Sequence, residues 1–192
     1  MLPKLLSREF YERSPEIVAE RLLGKRLGRK LGETLLEGII VETEAYFGLN
    51  DPASRAYHGR KNYNSAMWEQ PGIAFIYNVH NNWMFNVVAH RSNQIGAVLI
   101  RALEPTKGLS VMKRNRPVRN TFDLTNGPGK LTKSLGIDKK LNGISIVSRE
   151  SEIFITDTNA KFETSSSHRI GARKDLAKKL RFFIKGNKYV SR

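Results

Sequence analysis

The 192-residue sequence predicts one domain of mixed α/β (α+β) class, spanning residues 1–192 and built mostly from antiparallel strands. Three observations carry that expectation. A hydrophobic content of 40% in a chain of this length suits one core of ordinary size. Runs rich in β-branched and aromatic residues follow one another with turn signals between them, as strands joined by hairpins do. Clear helix start and stop marks occur at only a few places.

The first helix is "SPEIVAERLLG", residues 14–24, with Ser14 as N-cap, Pro15 at the first helical position, apolar Ile17, Val18, Leu22 and Leu23, and Gly24 as its stop. "EGIIVETEAYFG", residues 37–48, opens on β-branched Ile39, Ile40 and Val41 and then alternates, so it reads as a strand leaving the core at its C-terminal end. Period two puts Glu42, Glu44 and Tyr46 on one face and Val41, Thr43 and Ala45 on the other. Residues 50–70 have no clean period and many turn formers, and read as a long loop. "IAFIYNVHNNWMFNVVAH", residues 73–90, is a hairpin with its turn at Asn81–Asn82. "GAVLIRALEP" is a buried strand ending in Arg101 and Glu104, and "PTKGLSVMKRN" is a short helix stopped before Pro117. The chain is basic from Lys113 to Arg119. "NGPGKLTKSLGI" turns into a helix that starts at Pro128 and ends at Gly136. "ISIV", "SEIFIT" and "KLRFFIKGNKYVS", the last broken at Gly186–Asn187, complete the strands. There is no internal repeat.

Composition narrows the function. Thirty-three Lys and Arg against eighteen Asp and Glu give a formal net charge of +15 and a pI near 10.2, so the natural partner is a polyanion. The cations are dispersed through patterned segments, which fits a charged surface on a folded body; a structural RNA-binding role is one way to use it. With no cysteine, disulfides, thiol nucleophiles and Cys-based zinc sites are excluded. The four histidines, at 58, 80, 90 and 168, have no metal-ligand spacing, so neither metal nor cofactor is expected. "MLPKLLSREFYERSPE" lacks the apolar run of a signal peptide and no stretch could span a bilayer, so a cytoplasmic protein with no membrane partner is expected.

Two features carry chemistry. "NGPGK" can be a phosphate-binding turn, in which glycine lets backbone N–H groups approach an oxyanion, the helix start favours negative charge and Lys130 adds a cation. It can equally be a plain helix start, and it lacks the spacing of a nucleotide-binding P-loop. The second feature is Tyr46, Tyr77 and His80 near Glu44 and Arg101, all at strand ends or loops. Aromatics in a basic protein can stack on exposed bases, or simply pack. Glu42 and Glu44 belong either to a solvated strand face or to a site.

In this order, "IVETEAYFG", "RALEP", "NGPGKLTKSLGI" and "HRIG" closely resemble the blocks of the alkyladenine (3-methyladenine) DNA glycosylase family, and the resemblance runs from about Leu5 to Arg192. It implies a curved, mostly antiparallel sheet similar to the formyltransferase C-terminal domain. It also implies a monofunctional base-excision-repair enzyme, monomeric on double-stranded DNA. Such an enzyme flips a damaged purine and hydrolyses its N-glycosidic bond with a Glu-activated water, leaving an abasic site.

By the same resemblance Glu44 is the general base, Arg101 helps to orient the water and Glu42 is a supporting acid. Tyr46 and Tyr77 enclose the base, and His80 stands where the family usually has a tyrosine wedge. Asn86 matches a pocket asparagine that clashes with the guanine amino group, although one residue is missing between His80 and Asn86. Ile170 supplies backbone contacts, and Lys130 and Lys139 hold phosphates. Arg55 occupies the usual place of a pocket histidine, while His58 lies three residues on, so either could reach the base. The gap-free match up to that point favours Arg55, whose fixed charge would oppose a cationic base. Two other classes fit parts of the pattern: a non-catalytic nucleic-acid-binding protein, and a metal-dependent nuclease using Glu42, Glu44 and Asp51.

Overall fold

A computed structural model describes residues 4–158 and 160–191. Residues 1–3, part of the stretch read against a signal peptide, and Arg192, the end of the resemblance, lie outside the described residues.

Two N-terminal helices, α1 (Arg8–Tyr11) and α2 (Pro15–Leu22), precede β1 (Arg26–Leu31) and the long β2 (Thr34–Phe47). The hairpin β3 (Ala74–Val79) and β4 (Asn82–Val88) leads to β5 (Gly96–Lys107), then α3 (Leu109–Asn115) and α4 (Pro128–Leu135). Three short strands finish the described chain: β6 (Ile153–Thr156), β7 (Thr164–Ser167) and β8 (Arg181–Ile184). All eight belong to one sheet in the order β3-β4-β5-β2-β1-β6, with β8 joined to β2 and β7 to β8. Every pairing is antiparallel, as hairpin connections allow.

The sheet curls about β2. Its first half, Thr34–Ile39, pairs with β1, whereas Glu42–Glu44 pair with β8 on the same edge. Along its other edge, against β5, the register slips between Ile40 and Glu42 and again between Glu42 and Thr43. Ile40 faces Leu103 and Glu42 faces Ala102, so Val41 is the extra residue of the first bulge; Thr43 faces Ile100, so Arg101 is the extra residue of the second. Bulges raise local twist and redirect side chains. Here they place an arginine beside two glutamates.

The other face of β2 is core, as the alternation predicts. Val41, Thr43 and Ala45 are fully buried, with Val18, Ala19 and Leu22 of α2 part of the same buried cluster and Thr43 Oγ1 donating to Ala19 O at 2.8 Å. Burying each Val or Leu side chain stabilises the fold by roughly 1.5–3 kcal/mol. A second, smaller cluster of Ala56, Ala66, Met67, Ile73, Phe75, Val88 and Ala97 pins the 50–70 loop onto the hairpin. Asn64 ties that loop internally, donating to Arg55 O at 2.7 Å and Gly59 O at 3.0 Å and accepting from Lys61 N at 2.6 Å.

Several sequence expectations are corrected. The hairpin turn is His80–Asn81, both with positive φ (46° and 60°), not Asn81–Asn82, because two left-handed residues match the twist of a two-residue turn. The helix expected from residue 105 starts at Leu109, since β5 runs on to Lys107 and Gly108 (φ 77°) makes the break. "ISIV" makes only a single bridge, Ile73 with Ser145, and residues after Ile184 form turns rather than a strand. β1 and β7 escaped the sequence reading: "RLGRKL" and "TSSS" are too polar for a hydrophobic strand signal. Ser14 makes no side-chain cap bond. No helix among the described residues is long and apolar enough to cross a membrane.

Candidate active site

The face of β2 that the bulges turn toward the later loops carries Glu42, Glu44 and Tyr46. Both glutamates have no exposed surface, so the solvated-face reading is excluded. Charged groups reach such burial only when paired, and their partners differ. Glu42 accepts from Arg101 Nε at 2.8 Å, Arg181 Nε at 2.7 Å, Ser191 N at 2.7 Å and Ser191 Oγ at 2.8 Å. These partners bind β2 to β5, β8 and the C-terminal segment. Glu44 accepts from Tyr46 Oη at 2.7 Å and Ile170 N at 2.8 Å, with Arg101 Nη1 at 3.1 Å. Arg101 thus forks between the two acids.

Those three partners of Glu44 line a cavity of about 720 Å³. The cavity draws Tyr46 from β2, Arg55, His58 and Tyr63 from the 50–70 loop, Tyr77 and His80 from the hairpin and Pro128 from the start of α4. Its outer wall is the loop from Ile170 to Lys174. Burial first, and then the neighbouring Glu44 charge, push the Tyr46 phenol well above the ordinary range, so it stays a donor. Burial likewise raises Tyr77.

Arg169 holds this wall in place, and sequence reasoning missed it. Its side chain is fully buried and forms a fork–fork pair with Asp51, Nη1 and Nη2 each lying 2.7 Å from one carboxylate oxygen. It also donates to Ala45 O at 2.9 Å, binds Asp175 through Nε at 2.9 Å, and lies over the Tyr46 ring at 4.5 Å. Asp51 in turn accepts from Phe47 N at 2.9 Å and Ala53 N at 3.1 Å. One guanidinium therefore joins the end of β2, the 50–70 loop and the segment presenting Ile170. The only signal was the "HRIG" block itself, in which Ile170 drew attention and its neighbour did not.

Arg101, Tyr46, Arg55, Tyr77, His80 and Ile170 line the cavity together with His58, and Glu44 lies buried behind Tyr46, Arg101 and Ile170. Asn86 shares their strand face but is buried, its amide donating to Phe75 O at 3.1 Å and Met84 O at 3.2 Å; it is not among the cavity-lining residues. Lys130 stands on the first turn of α4, bonded to Asn126 Oδ1 at 2.7 Å, while Lys139 is exposed on a separate one-turn helix, Lys139–Leu141. Gly129 lets α4 approach the hairpin, since a Cβ there would meet Asn82 Cβ at 2.7 Å. The nuclease constellation does not form. Asp51 is saturated by Arg169 and Glu42 by two arginines, and no group of three His, Cys, Asp or Glu among the described residues could hold a metal.

Comparison with known proteins agrees in one direction. Residues 9–188 match the family described as Methylpurine-DNA glycosylase (MPG). A protein of Carboxydothermus hydrogenoformans, provisionally named 3-methyladenine DNA glycosylase, is 44% identical over 98% of this chain and 99% of its own length. Proteins with the same provisional name from Aeropyrum pernix and Clostridium perfringens are 36% and 38% identical, covering 98% and 97% of this chain and 94% and 98% of their own lengths.

Proposed function

The chain belongs to the methylpurine-DNA glycosylase family, and on that premise we propose that it removes damaged purines from double-stranded DNA by hydrolysing their N-glycosidic bonds. One observation carries the reading furthest: a buried carboxylate, Glu44, held by three donors that all line one tyrosine-walled cavity in a protein of net charge +15.

A purine inside a stacked duplex cannot reach such a cavity, so the nucleotide rotates out of the helix and its base enters between Tyr46 and Tyr77. His80, exposed at the tip of the β3–β4 turn, fills the gap left in the stack. As the C1′–N bond breaks, the sugar gains positive charge. Glu44 stabilises that charge and takes a proton from the water that adds to C1′, with Arg101 fixing the carboxylate. Glu44 has no exposed surface in this state, so base entry must part the wall where Tyr46 Oη and Ile170 N cover it. Glu42 serves as the structural acid that fixes Arg101. Lys130 and Lys139 meet phosphates. No lysine is needed as a covalent nucleophile, so the product is an abasic site, and one chain suffices.

The test is direct. Duplex oligonucleotides with a single hypoxanthine, ethenoadenine or 7-methylguanine are incubated with the protein in excess chelator. Alkali-labile sites at the lesion are expected, without strand nicks before alkali treatment. Tight binding without base release would favour a non-catalytic binder instead.

A further inference from the structure

Two guanidinium groups lie over two of the cavity's tyrosines, Tyr46 and Tyr77, and their electrostatic settings are opposite. Arg169, 4.5 Å from the Tyr46 ring centroid, is neutralised by Asp51 and Asp175. Arg55, 4.8 Å from the Tyr77 ring centroid, has no carboxylate within ion-pair distance among the described residues. Arg101, which also lines the cavity, is neutralised by Glu42 and Glu44. Among the described residues Arg173 and Lys174 also have no carboxylate within ion-pair distance, but they stand exposed on the outer wall. His58 lines the cavity too, yet its ring packs edge-on against Tyr57, 4.9 Å between centroids, and Tyr57 is not a cavity residue. Arg55 is therefore the uncompensated cation set against an aromatic wall of the base site.

Resting on the glycosylase reading above, we propose that Arg55 is the charge partner of the departing base and makes the enzyme selective for purine lesions that are neutral while still attached to the sugar. The chemistry separates two lesion classes. When the C1′–N9 bond of a neutral purine breaks, the bonding pair goes to the base, which leaves as an anion. Water forms the new bond to C1′ and gives its proton to Glu44, while the purine anion is protonated from solvent and Glu44 returns its proton there. A fixed guanidinium beside the ring stabilises the anion as it develops, a difference made in the transition state and so in the rate. An N-alkylated purine starts as a cation and leaves neutral. Arg55 opposes its entry and gains nothing from its departure. The guanidinium plane suits stacking on a nucleobase, and its charge persists across the working pH range.

The experiment measures single-turnover base release, with enzyme in excess, from duplexes carrying hypoxanthine or 7-methylguanine. The parent, Arg55→Gln and Arg55→Lys are compared, with thermal melting to confirm folding. Arg55→Gln should slow hypoxanthine release by about 100-fold, the lower end of what one charge-stabilising donor supplies at an active site. It should leave 7-methylguanine release unchanged or faster. Arg55→Lys keeps the charge without the plane and should recover part of the hypoxanthine rate. An equal factor on both lesions in both variants, or a loss confined to 7-methylguanine, would overturn the assignment while leaving the glycosylase reading intact. Release of neither base by the parent would instead sink that reading, and this inference with it.

Discussion

Glu42 and Glu44 are two residues apart on one strand face and both fully buried, yet they are held for different ends. Four donors on Glu42 come from β5, β8 and the C-terminal segment, so its charge fastens the sheet. The donors on Glu44 come from the cavity wall. Glu42→Gln leaves Arg101 and Arg181 without their shared anion, and breaking a buried pair this way costs about 3–5 kcal/mol. A fall in Tm of about 6–20 °C is expected in thermal melts, at about 2–4 °C per kcal/mol for a chain of this size. Its effect on base release should be smaller than that of Glu44→Gln. A Glu42→Gln protein as stable as the parent but inactive would exchange the two assignments.

At the scale of elements, the wall from Ile170 to Asp175 depends on Arg169. Although burial alone would push the Asp175 carboxyl up, its bonds to Arg169 hold it below the ordinary carboxylate value of 3.8. A carboxylate whose folded pKa is depressed adds stability that is present above its unfolded pKa and lost as pH falls through the folded one. Asp175→Asn should therefore melt below the parent at neutral pH, and the gap between the two Tm curves should close below about pH 4. A gap that does not change with pH would mean that the ion pair is not what holds the wall.

The start of α4 makes a second element-scale prediction. If Lys130 meets a phosphate, Lys130→Ala should make the slope of log K against log salt shallower by about 0.9, the contribution of one phosphate contact on duplex DNA, equally with and without a lesion. An unchanged slope would reduce "NGPGK" to a helix start, a role that Pro128 at its first position and Gly136 (φ 61°) at its end already fill.

Across the whole molecule, what could be read in advance followed from local pattern. α2 and α4 carry their own start and stop residues, and β2 to β5 carry hydrophobic or aromatic periodicity, so each was legible one segment at a time. β1 and β7 were not, because their stability comes from pairing with strands already formed rather than from their own apolar content. The site divides in the same way. Glu44, Tyr46 and Arg101 lie in the distinctive "VETEAY" and "RALEP" stretches, whereas the part played by Arg169 exists only once Asp51, Asp175 and Tyr46 surround it, with Arg169 and Asp51 118 positions apart in the chain. Likewise, strict alternation gave the right face for the two glutamates but could not show the paired bulges that swing Arg101 between them.

All of these scales meet at one carboxylate. The measurement that bears on it most directly is single-turnover release of hypoxanthine from duplex DNA by the parent and by Glu44→Gln, with DNA affinity measured on the same proteins. Because Glu44 is assigned to proton abstraction and charge stabilisation rather than to holding DNA, affinity should stay within a few-fold while release falls by about a thousandfold or more. Release by Glu44→Gln at above a tenth of the parental rate would contradict the account.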